Sequence, residues 1–330
     1  MKKFSESLIV EDYIIKKLEE KGWRFVSADD LERDSYEEVL LIPNLVRVIQ
    51  RINKRSELGN VEINKVINEL KLTGTGVEGA KKILNFYKFG VPVKFEKEKV
   101  VKYVQLFDFG DIDNNEFIIT RQVYYQGKDR IRTDIILYMN GIPLVDIECK
   151  NPTSISESWF NAYKQIKDYE RTVPELYKYI QVGMAAESQA RYFPIVPWQE
   201  DVKTHEWKVE AIHELPLQNS IDPTIEMLSR ETLLDIIKSF LFFRVEFGNA
   251  TKVITRYMQY RAANKMVNRV KESIEFIESG KERLGEAKGK GNDLTGSVDS
   301  RLTPHGSRTK GLIWHWQGSG KTLTMIFAAN

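Results

Sequence analysis

Residues 132–152 read RTDIILYMNGIPLVDIECKNP and contain the most informative structural signal of the chain. Asn140-Gly141 between two runs of apolar and β-branched residues is typical of a β-hairpin. Side chains alternate along a strand, so the apolar residues of each strand share one face, while Asp134 and Glu148 lie on the polar faces. The stretch therefore predicts two paired strands that carry acidic residues beside their most apolar segments.

The length of the turn decides whether the two acids meet. A two-residue loop places Asp134 and Glu148 on opposite faces of the hairpin. A three-residue loop, 140–142, lets both apolar faces point to the core and sets Asp134 across from Glu148, with Cβ atoms about 5 Å apart. Because both apolar faces need burial, we expect the longer loop or a bulge.

Two carboxylates at that distance repel each other unless a cation lies between them. Mg²⁺ commonly takes one or two carboxylates together with phosphate oxygens and waters. Lys150 points the same way as Glu148 and is placed to orient a metal-bound water or to offset charge on a phosphate. The set suits phosphodiester hydrolysis, although a solvated strand face with a surface ion pair explains the same spacing. Cys149 between the charged residues is expected to be a small core residue.

Outward from the hairpin, the pattern predicts a mixed α/β fold. The runs at 101–109 and 116–125 read as strands that form a meander with the hairpin. Residues 5–21 and 155–170 have helical periodicity, and 178–187 reads as one more strand. This order of elements favours a mixed sheet flanked by helices.

Composition excludes several classes of protein. The chain has 330 residues, 42% of them hydrophobic and 29% charged, with a formal net charge of +2. These values describe a globular protein with a substantial core, and a chain of this length is expected to form two domains. No apolar run approaches the roughly 18 residues of a membrane span, and the N-terminus is not a secretory signal. The lone Cys149 excludes an internal disulfide and a cysteine-rich zinc site, which fits a reducing cytoplasm.

A second motif lies near the end of the chain, where residues 315–322 read HWQGSGKT. Glycine-rich loops of this kind bind phosphates through backbone N–H groups, while the lysine and threonine reach phosphate and Mg²⁺. An apolar strand before the loop and a helix after it favour this interpretation. The predicted ATP-binding residues of the loop are Gln317, Gly318, Ser319, Gly320, Lys321 and Thr322.

The hairpin resembles the core of the PD-(D/E)xK nucleases, in the form found in the R (motor and endonuclease) subunit of type I restriction-modification enzymes. In that family R-x-D is followed by N-G-x-P, then by E-x-K-N-P, and then by a helix with Q-x-x-x-Y. The matching residues are Arg132-Thr133-Asp134, Asn140-Gly141-Ile142-Pro143, Glu148-Cys149-Lys150-Asn151-Pro152, and Gln165 with Tyr169. Asp146 departs from the pattern, since similar proteins usually have an aliphatic residue there.

The resemblance implies roles for these residues. Asp134, Glu148 and Lys150 would be catalytic, with Asp134 and Glu148 as the Mg²⁺ ligands. Gln165 and Tyr169 would support the active site or contact DNA, although Tyr169 is equally explained as a core residue. Glu11, on the first helix, would approach the metal, although an exposed helical glutamate is the simpler explanation.

The loop at 315–322 resembles that of superfamily 2 helicases, and of the type I restriction motor in particular. In the segment upstream of it, Gln259 resembles the residue that reads the adenine of ATP. The two resemblances together imply Mg²⁺-dependent cleavage of double-stranded DNA coupled to ATP-driven translocation. The implied partners are the methyltransferase (M) and specificity (S) subunits. A nuclease–helicase fusion of repair or defence that acts without a methyltransferase is the alternative, and a degenerate, non-catalytic adaptor is a third reading.

Domain boundaries follow from these motifs. We expect a PD-(D/E)xK endonuclease domain at 1–205, a linker at 206–225, and the first part of a RecA-like helicase domain at 226–330. Within the last region, the glycine-rich and charged segment 279–310 is expected to be mobile. The sequence ends eight residues after Thr322, so we expect that this chain alone does not hydrolyse ATP, because the other residues of an ATPase site are absent.

Overall fold

The computed structural model describes residues 7–56, 58–96, 98–151, 158–207, 221–246, 248–289 and 321–329. The chain forms two compact units, Met1–Thr255 and Arg256–Asn330. Within the described residues, no helix is both long enough and apolar enough to cross a bilayer.

The first unit contains most of the regular structure. Its helices are α1 (Ser7–Glu19), α2 (Ile42–Ile52), α3 (Asn60–Leu72), α4 (Val77–Phe89), α5 (Trp159–Thr172), α6 (Pro174–Tyr177), α7 (Asp222–Met227) and α8 (Arg230–Ser239). Its strands are β1 (Arg24–Phe25), β2 (Val91–Phe95), β3 (Val100–Val104), β4 (Phe117–Gln126), β5 (Arg130–Met139), β6 (Ile142–Cys149), β7 (Val182–Ala186), β8 (Ala190–Pro194), β9 (Leu241–Glu246) and β10 (Asn249–Ile254).

A mixed sheet forms the centre of this unit. Its strand order is β1-β4-β5-β6-β7-β8, with β1 parallel to β4, β6 parallel to β7 and the other neighbours antiparallel. All residues of β6 are buried, as expected for the middle of a sheet covered on both sides. Helix α1 packs against β4 and β6, and α5 packs against β6 and β7. The predicted mixed sheet flanked by helices is thus confirmed.

The register of the β5–β6 hairpin is set by its turn together with a bulge. Met139 pairs with Ile142, so the turn has two residues, Asn140 and Gly141, both at positive φ (55° and 78°). Such a turn alone separates the two acids onto opposite faces. The register shifts between Leu137 and Tyr138, however. On the side of this shift away from the turn, the pairs are those that a three-residue loop would give. The three-residue loop is therefore wrong, and the bulge, the other expected arrangement, is present.

The turn fits its surroundings closely. A Cβ atom on Gly141 would lie 2.4 Å from the carbonyl oxygen of Leu41, so this position accepts only glycine. The Asn140 side chain is fully buried and accepts a hydrogen bond from the Glu116 N–H at 2.7 Å. Its amide donates to the carbonyl of Leu106 and to Asn115 Oδ1. These contacts attach the turn to the segment that precedes β4.

The run at 101–109 does not join the main sheet. β3 pairs instead with β2, a strand that the sequence did not indicate, in a separate antiparallel hairpin. The following chain turns at Asp108, whose carboxylate accepts hydrogen bonds from the N–H groups of Gly110 and Asp111. This turn redirects the backbone before β4, which explains why the expected meander begins one strand later.

The second unit contains α9 (Tyr257–Gly289) and α10 (Lys321–Ala329), which pack against each other. The segment 279–310, predicted to be mobile, overlaps the end of α9, whose residues 279–289 are helical. Helical propensity explains this extension of α9, since GKERLGEAKG is rich in good helix formers despite its glycines. The mobility of 279–310 stays a prediction. Residues 290–310 lie outside the described residues, as do 208–220 of the predicted linker, and the predicted domain boundaries stay a prediction.

Candidate active site

The β5–β6 hairpin brings the two predicted metal ligands together. One residue beyond the Ile135–Ile147 pair, Asp134 faces Glu148 across the strands. The Asp134 N–H donates to Glu148 Oε1 at 3.1 Å, and the Cys149 N–H donates to Asp134 Oδ2 at 2.8 Å. Each carboxylate is therefore fixed by the backbone of the opposite strand. This arrangement is the geometry that the bulge makes possible.

Helix α1 adds a third carboxylate to the same end of the sheet. Glu11 is buried, with 2% of its surface exposed, so the alternative of an exposed helical glutamate is wrong. Gln122 on β4 donates through Nε2 to both carboxylate oxygens of Glu11, at 3.1 and 3.0 Å. The same nitrogen lies 3.4 Å from Asp134 Oδ1. The structure thus places Glu11 beside Asp134, with one amide between them.

Gln122 is a site residue that the sequence did not indicate. It has φ of 56°, a left-handed conformation that is unusual for a residue within a strand. Backbone strain of this kind is common at functional sites. A signal for Gln122 was available in the register. The residue numbers of each β4–β5 pair have the same sum as 122 and 134, so Gln122 lies across the strands from Asp134. That register depends on a turn whose length the sequence left open.

Burial and like charge dominate the electrostatics of the site. Burial raises the pKa of Glu11 to about 7, and the neighbouring Asp134 carboxylate adds to the increase. Burial also raises the pKa of Glu148 well above its usual range, with further increases from Asp146 and Asp134. Glu11 and Glu148 therefore tend to retain protons near neutral pH unless a cation compensates their charge.

Lys150 is anchored at the same end of the hairpin by a chain of hydrogen bonds. Its N–H donates to the Ala186 carbonyl at 2.8 Å, and its Nζ donates to Gln165 Oε1 on α5. Gln165 Nε2 donates to Tyr169 Oη at 2.8 Å, and Tyr169 Oη donates to the Arg132 carbonyl at 3.0 Å. The i, i+4 pair therefore connects the lysine to β5. Tyr169 is half-buried, and burial raises its pKa to about 12.

Asp146 lies deeper in the same face of β6. It is fully buried, and its Oδ2 accepts a hydrogen bond from the hydroxyl of Tyr177 at 2.5 Å. Burial raises the pKa of Asp146, and Asp134 contributes to the increase.

Cys149, two positions beyond Ile147 on the core face, is buried, and burial raises the pKa of its thiol. Cys149 is thus the small core residue that the sequence predicted.

The carboxylates meet the requirements of a hard divalent cation, as oxygen donors held in place by backbone N–H groups. Glu148 Oε2 is buried and has no hydrogen-bond partner among the described residues, so it has a lone pair available for a ligand. The described part of the chain contains no cluster of three or more histidine, cysteine, aspartate or glutamate side chains arranged to hold a metal by themselves. A cation here would need oxygens from water or substrate in addition to the two predicted ligands.

The predicted ATP-binding residues are only partly described. Gln317, Gly318, Ser319 and Gly320 lie outside the described residues, and helix α10 begins at Lys321. Gln259, near the start of α9, is buried, and its Oε1 accepts a hydrogen bond from the Arg256 N–H at 3.0 Å. The alternative of an exposed helical glutamine is therefore wrong, while its adenine-reading role stays a prediction.

Comparison with known proteins gives the chain two family matches. Residues 3–202 match the model of the type I restriction enzyme R protein N terminus, and residues 258–330 match that of the SWI2/SNF2 ATPase.

The curated relatives carry related names. A protein of Methanocaldococcus jannaschii, named provisionally as the type I restriction enzyme MjaVIIIP endonuclease subunit, is 29% identical over 335 residues, which cover 98% of this chain and 28% of the relative. The MjaVIIP endonuclease subunit of the same organism, also named provisionally, is 31% identical over 257 residues, covering 75% of this chain and 21% of the relative. The type I restriction enzyme HindI endonuclease subunit of Haemophilus influenzae is 27% identical over 346 residues, covering 97% of this chain and 29% of the relative.

This chain therefore spans less than a third of the length of these relatives. The R-protein match covers residues 3–202, more than half of the 330 residues, and includes every residue of the carboxylate and lysine site. The chain belongs to the family of type I restriction enzyme R protein N termini.

Proposed function

We propose that this chain is the endonuclease region and the start of the motor of a type I restriction enzyme R subunit. In this proposal the first unit has the PD-(D/E)xK fold and cleaves double-stranded DNA with Mg²⁺, and the second begins a RecA-like motor that translocates DNA with ATP. The observation that carries the proposal is the pairing of Asp134 and Glu148 beside an anchored Lys150. The complete enzyme would include M and S subunits and act in the cytoplasm.

Asp134 and Glu148 would hold the cation, and their backbone hydrogen bonds keep the oxygens in position before it binds. The chemistry that a bound Mg²⁺ would supply is stabilisation of charge on the phosphate and a lower pKa for a coordinated water. Glu11 shares the amide nitrogen of Gln122 with Asp134 and would accept a proton or a hydrogen bond from a water held beside Asp134. The raised pKa of Glu11, about 7, suits a group that exchanges protons near neutral pH.

Lys150 would act on the reacting phosphate. Gln165 accepts one of its hydrogen bonds and so limits the positions that the ammonium group can adopt. The remaining donors can stabilise the negative charge that develops on a phosphate oxygen in the transition state. The Gln165–Tyr169 pair thus supports the active site by orienting the lysine.

The test uses the complete R subunit assembled with its M and S subunits. We expect Lys150→Ala to abolish Mg²⁺-dependent nicking and cleavage of DNA while ATP-driven translocation continues, because the lysine acts on the phosphate and not on the motor. Lys102→Ala is a matched control, since Lys102 pairs with Glu98 on the separate β2–β3 hairpin. Normal cleavage by the Lys150 variant would refute the assignment.

Leaving out the M and S subunits tests the alternative function. If the purified R subunit alone degrades DNA from its ends, the protein is a nuclease–helicase fusion of repair or defence. The match of residues 258–330 to a SWI2/SNF2 ATPase is compatible with both functions. Dependence of cleavage on the M and S subunits supports the restriction enzyme.

A further inference from the structure

The β4–β5 hairpin has an exposed, positively charged face next to the candidate active site. In β5 exposed and buried residues alternate from Arg130 to Thr133, so Arg130 and Arg132 share the polar face on which Asp134 lies. Tyr124 pairs with Arg132 and is 40% exposed, and Lys128 is exposed in the turn that joins the strands. We call these four residues, Tyr124, Lys128, Arg130 and Arg132, the basic ribbon.

The charges of the basic ribbon are not neutralised by ion pairs. Among the described residues, no carboxylate forms a salt bridge with Lys128, Arg130 or Arg132. Asp129, in the turn, is the acidic residue that adjoins them in sequence. Uncompensated cations on one face create a local positive potential, which the net charge of +2 for the whole chain does not reveal.

The basic ribbon is connected directly to the candidate active site. Tyr169, which holds Gln165 and through it Lys150, donates its hydroxyl hydrogen to the carbonyl of Arg132. Residues two apart in a strand are separated by about 7 Å, so Arg132 and Arg130 lie about 7 and about 14 Å from Asp134 along β5. A DNA strand has a phosphate every 3.4 Å or so along the duplex axis. The arginines are thus spaced to meet the backbone on one side of a phosphate placed at Asp134.

The aromatic residues favour a duplex over a single strand. The guanidinium carbon of Arg130 lies 4.9 Å from the ring centre of Tyr36, that of Arg33 lies 5.6 Å from it, and the Tyr124 ring lies 5.9 Å from it. Proteins that bind single strands stack bases on free aromatic faces. Here two guanidinium groups and the Tyr124 ring lie against the Tyr36 ring, so both rings are already engaged, although each is partly exposed, and charge is the main feature of the surface.

We propose that the basic ribbon holds the sugar–phosphate backbone of double-stranded DNA as it enters the site formed by Asp134, Glu148 and Lys150. Arg132 contacts a phosphate about two nucleotides from the scissile one, and Arg130 and Lys128 contact phosphates further along the same strand. Such contacts position DNA without reading its sequence. This inference rests on the proposed nuclease function and assigns its substrate-binding surface.

The test compares Arg132→Gln, Arg132→Lys and Lys150→Ala in the complete R subunit assembled with M and S subunits. Cleavage and translocation of circular DNA are measured at several salt concentrations. We expect Arg132→Gln to reduce the cleavage rate about tenfold at moderate salt, since a charged hydrogen bond to phosphate is lost. The apparent DNA affinity, measured from cleavage, should also depend less on salt: the slope of its logarithm against the logarithm of salt concentration should become shallower by about one unit. Translocation should be unchanged, and Arg132→Lys should retain most of the activity because it keeps the charge.

Arg47→Gln is the matched control. Arg47 is an exposed arginine on α2 that pairs with Glu32, outside the basic ribbon, so its loss should leave cleavage and the salt slope unchanged. If Arg132→Gln cleaves at the normal rate with the normal salt slope while Lys150→Ala is inactive, the basic ribbon is not a DNA contact and the nuclease assignment stands. If Lys150→Ala cleaves normally, the proposed function itself fails. Loss of translocation in Arg132→Gln would also overturn the proposal, because the effect would not be local to the nuclease site.

Discussion

Gln122 shows how much of the candidate site depends on one amide. Its nitrogen lies between the carboxylates of Glu11 and Asp134, and its backbone adopts a left-handed conformation within a strand. For a residue with a Cβ atom this conformation costs on the order of 1 kcal/mol. The surrounding contacts must compensate for that cost, and the hydrogen bonds of the Gln122 side chain to Glu11 are among them.

We predict that Gln122→Gly reduces cleavage by about tenfold or more, since Glu11 and Asp134 lose a charge-assisted hydrogen-bond donor. Folding stability should change little, because glycine relieves the positive φ while giving up its side-chain contacts. Cleavage by the assembled enzyme and denaturation of the variant measure the two effects. Lys99→Gly is the control, since Lys99 has nearly the same φ of 55° in an exposed turn and should leave cleavage unchanged. Unaltered cleavage by Gln122→Gly would show that the amide does not position the carboxylates.

At the scale of the element, α5 connects two environments. Gln165 and Tyr169 face the active site, while Lys167 and Glu170 form a buried ion pair against the rest of the unit. Lys167 also donates to the Val196 carbonyl at 3.1 Å, and the nearby Lys252 on β10 donates to Gln181 Oε1 at 2.9 Å. Burial lowers the pKa of Lys252 to about 7. One face of the helix therefore orients Lys150, and the other is fixed by charges that water does not reach.

We predict that Lys167→Met lowers the free energy of unfolding by about 3 kcal/mol, because Glu170 would remain buried without its adjacent cation. The double variant Lys167→Met with Glu170→Leu should recover most of this loss, since no unpaired charge is left. Chemical denaturation of each variant measures the effect. Arg171→Ala on the same helix breaks an exposed pair with Asp168 and should cost less than about 1 kcal/mol. Equal losses in the two single variants would contradict the importance of burial.

The elements also show what sequence reasoning can reach. The meeting of Asp134 with Glu148 followed from parity along two strands that are adjacent in sequence, so a local argument was sufficient, and it correctly allowed for a bulge. The pairing of β3 with β2 and the addition of β8 to the sheet edge depend on which distant strands find each other, which local pattern does not determine. The sequence did not indicate Gln122 and left the burial of Glu11 open, because the contact between them joins residues more than a hundred positions apart.

For the whole molecule, stability without metal should depend on pH in a defined direction. Glu11 has a pKa of about 7 in the folded state against 4.5 as its ordinary value, and burial raises the pKa of Glu148 in the same direction. Between these values the folded state binds more protons than the unfolded state, so stability falls as pH rises through the window. A divalent cation that binds the ionised carboxylates opposes this fall.

We predict that, in a chelator, the thermal unfolding midpoint of the chain decreases as pH rises from about 4.5 to about 7. Excess Mg²⁺ should raise the midpoint more at the upper end of this range than at the lower end, because protons no longer compete for the oxygens. Glu148→Gln removes a predicted ligand and should diminish the Mg²⁺ effect. A midpoint that responds to Mg²⁺ equally at both ends of the range would argue against these carboxylates as the binding site.

The Asn140-Gly141 turn has a consequence for the chemical lifetime of the protein. Asparagine followed by glycine is prone to deamidation in flexible peptides, since the next backbone nitrogen attacks the side-chain carbonyl. Here that carbonyl accepts a hydrogen bond from the Glu116 N–H, the amide donates to Leu106 and Asn115, and Leu41 covers the glycine. Attack requires the turn to open first. The rate at which Asn140 converts to aspartate would therefore report how often the β5–β6 turn opens. We expect this deamidation to be far slower in the folded protein than in the unfolded chain.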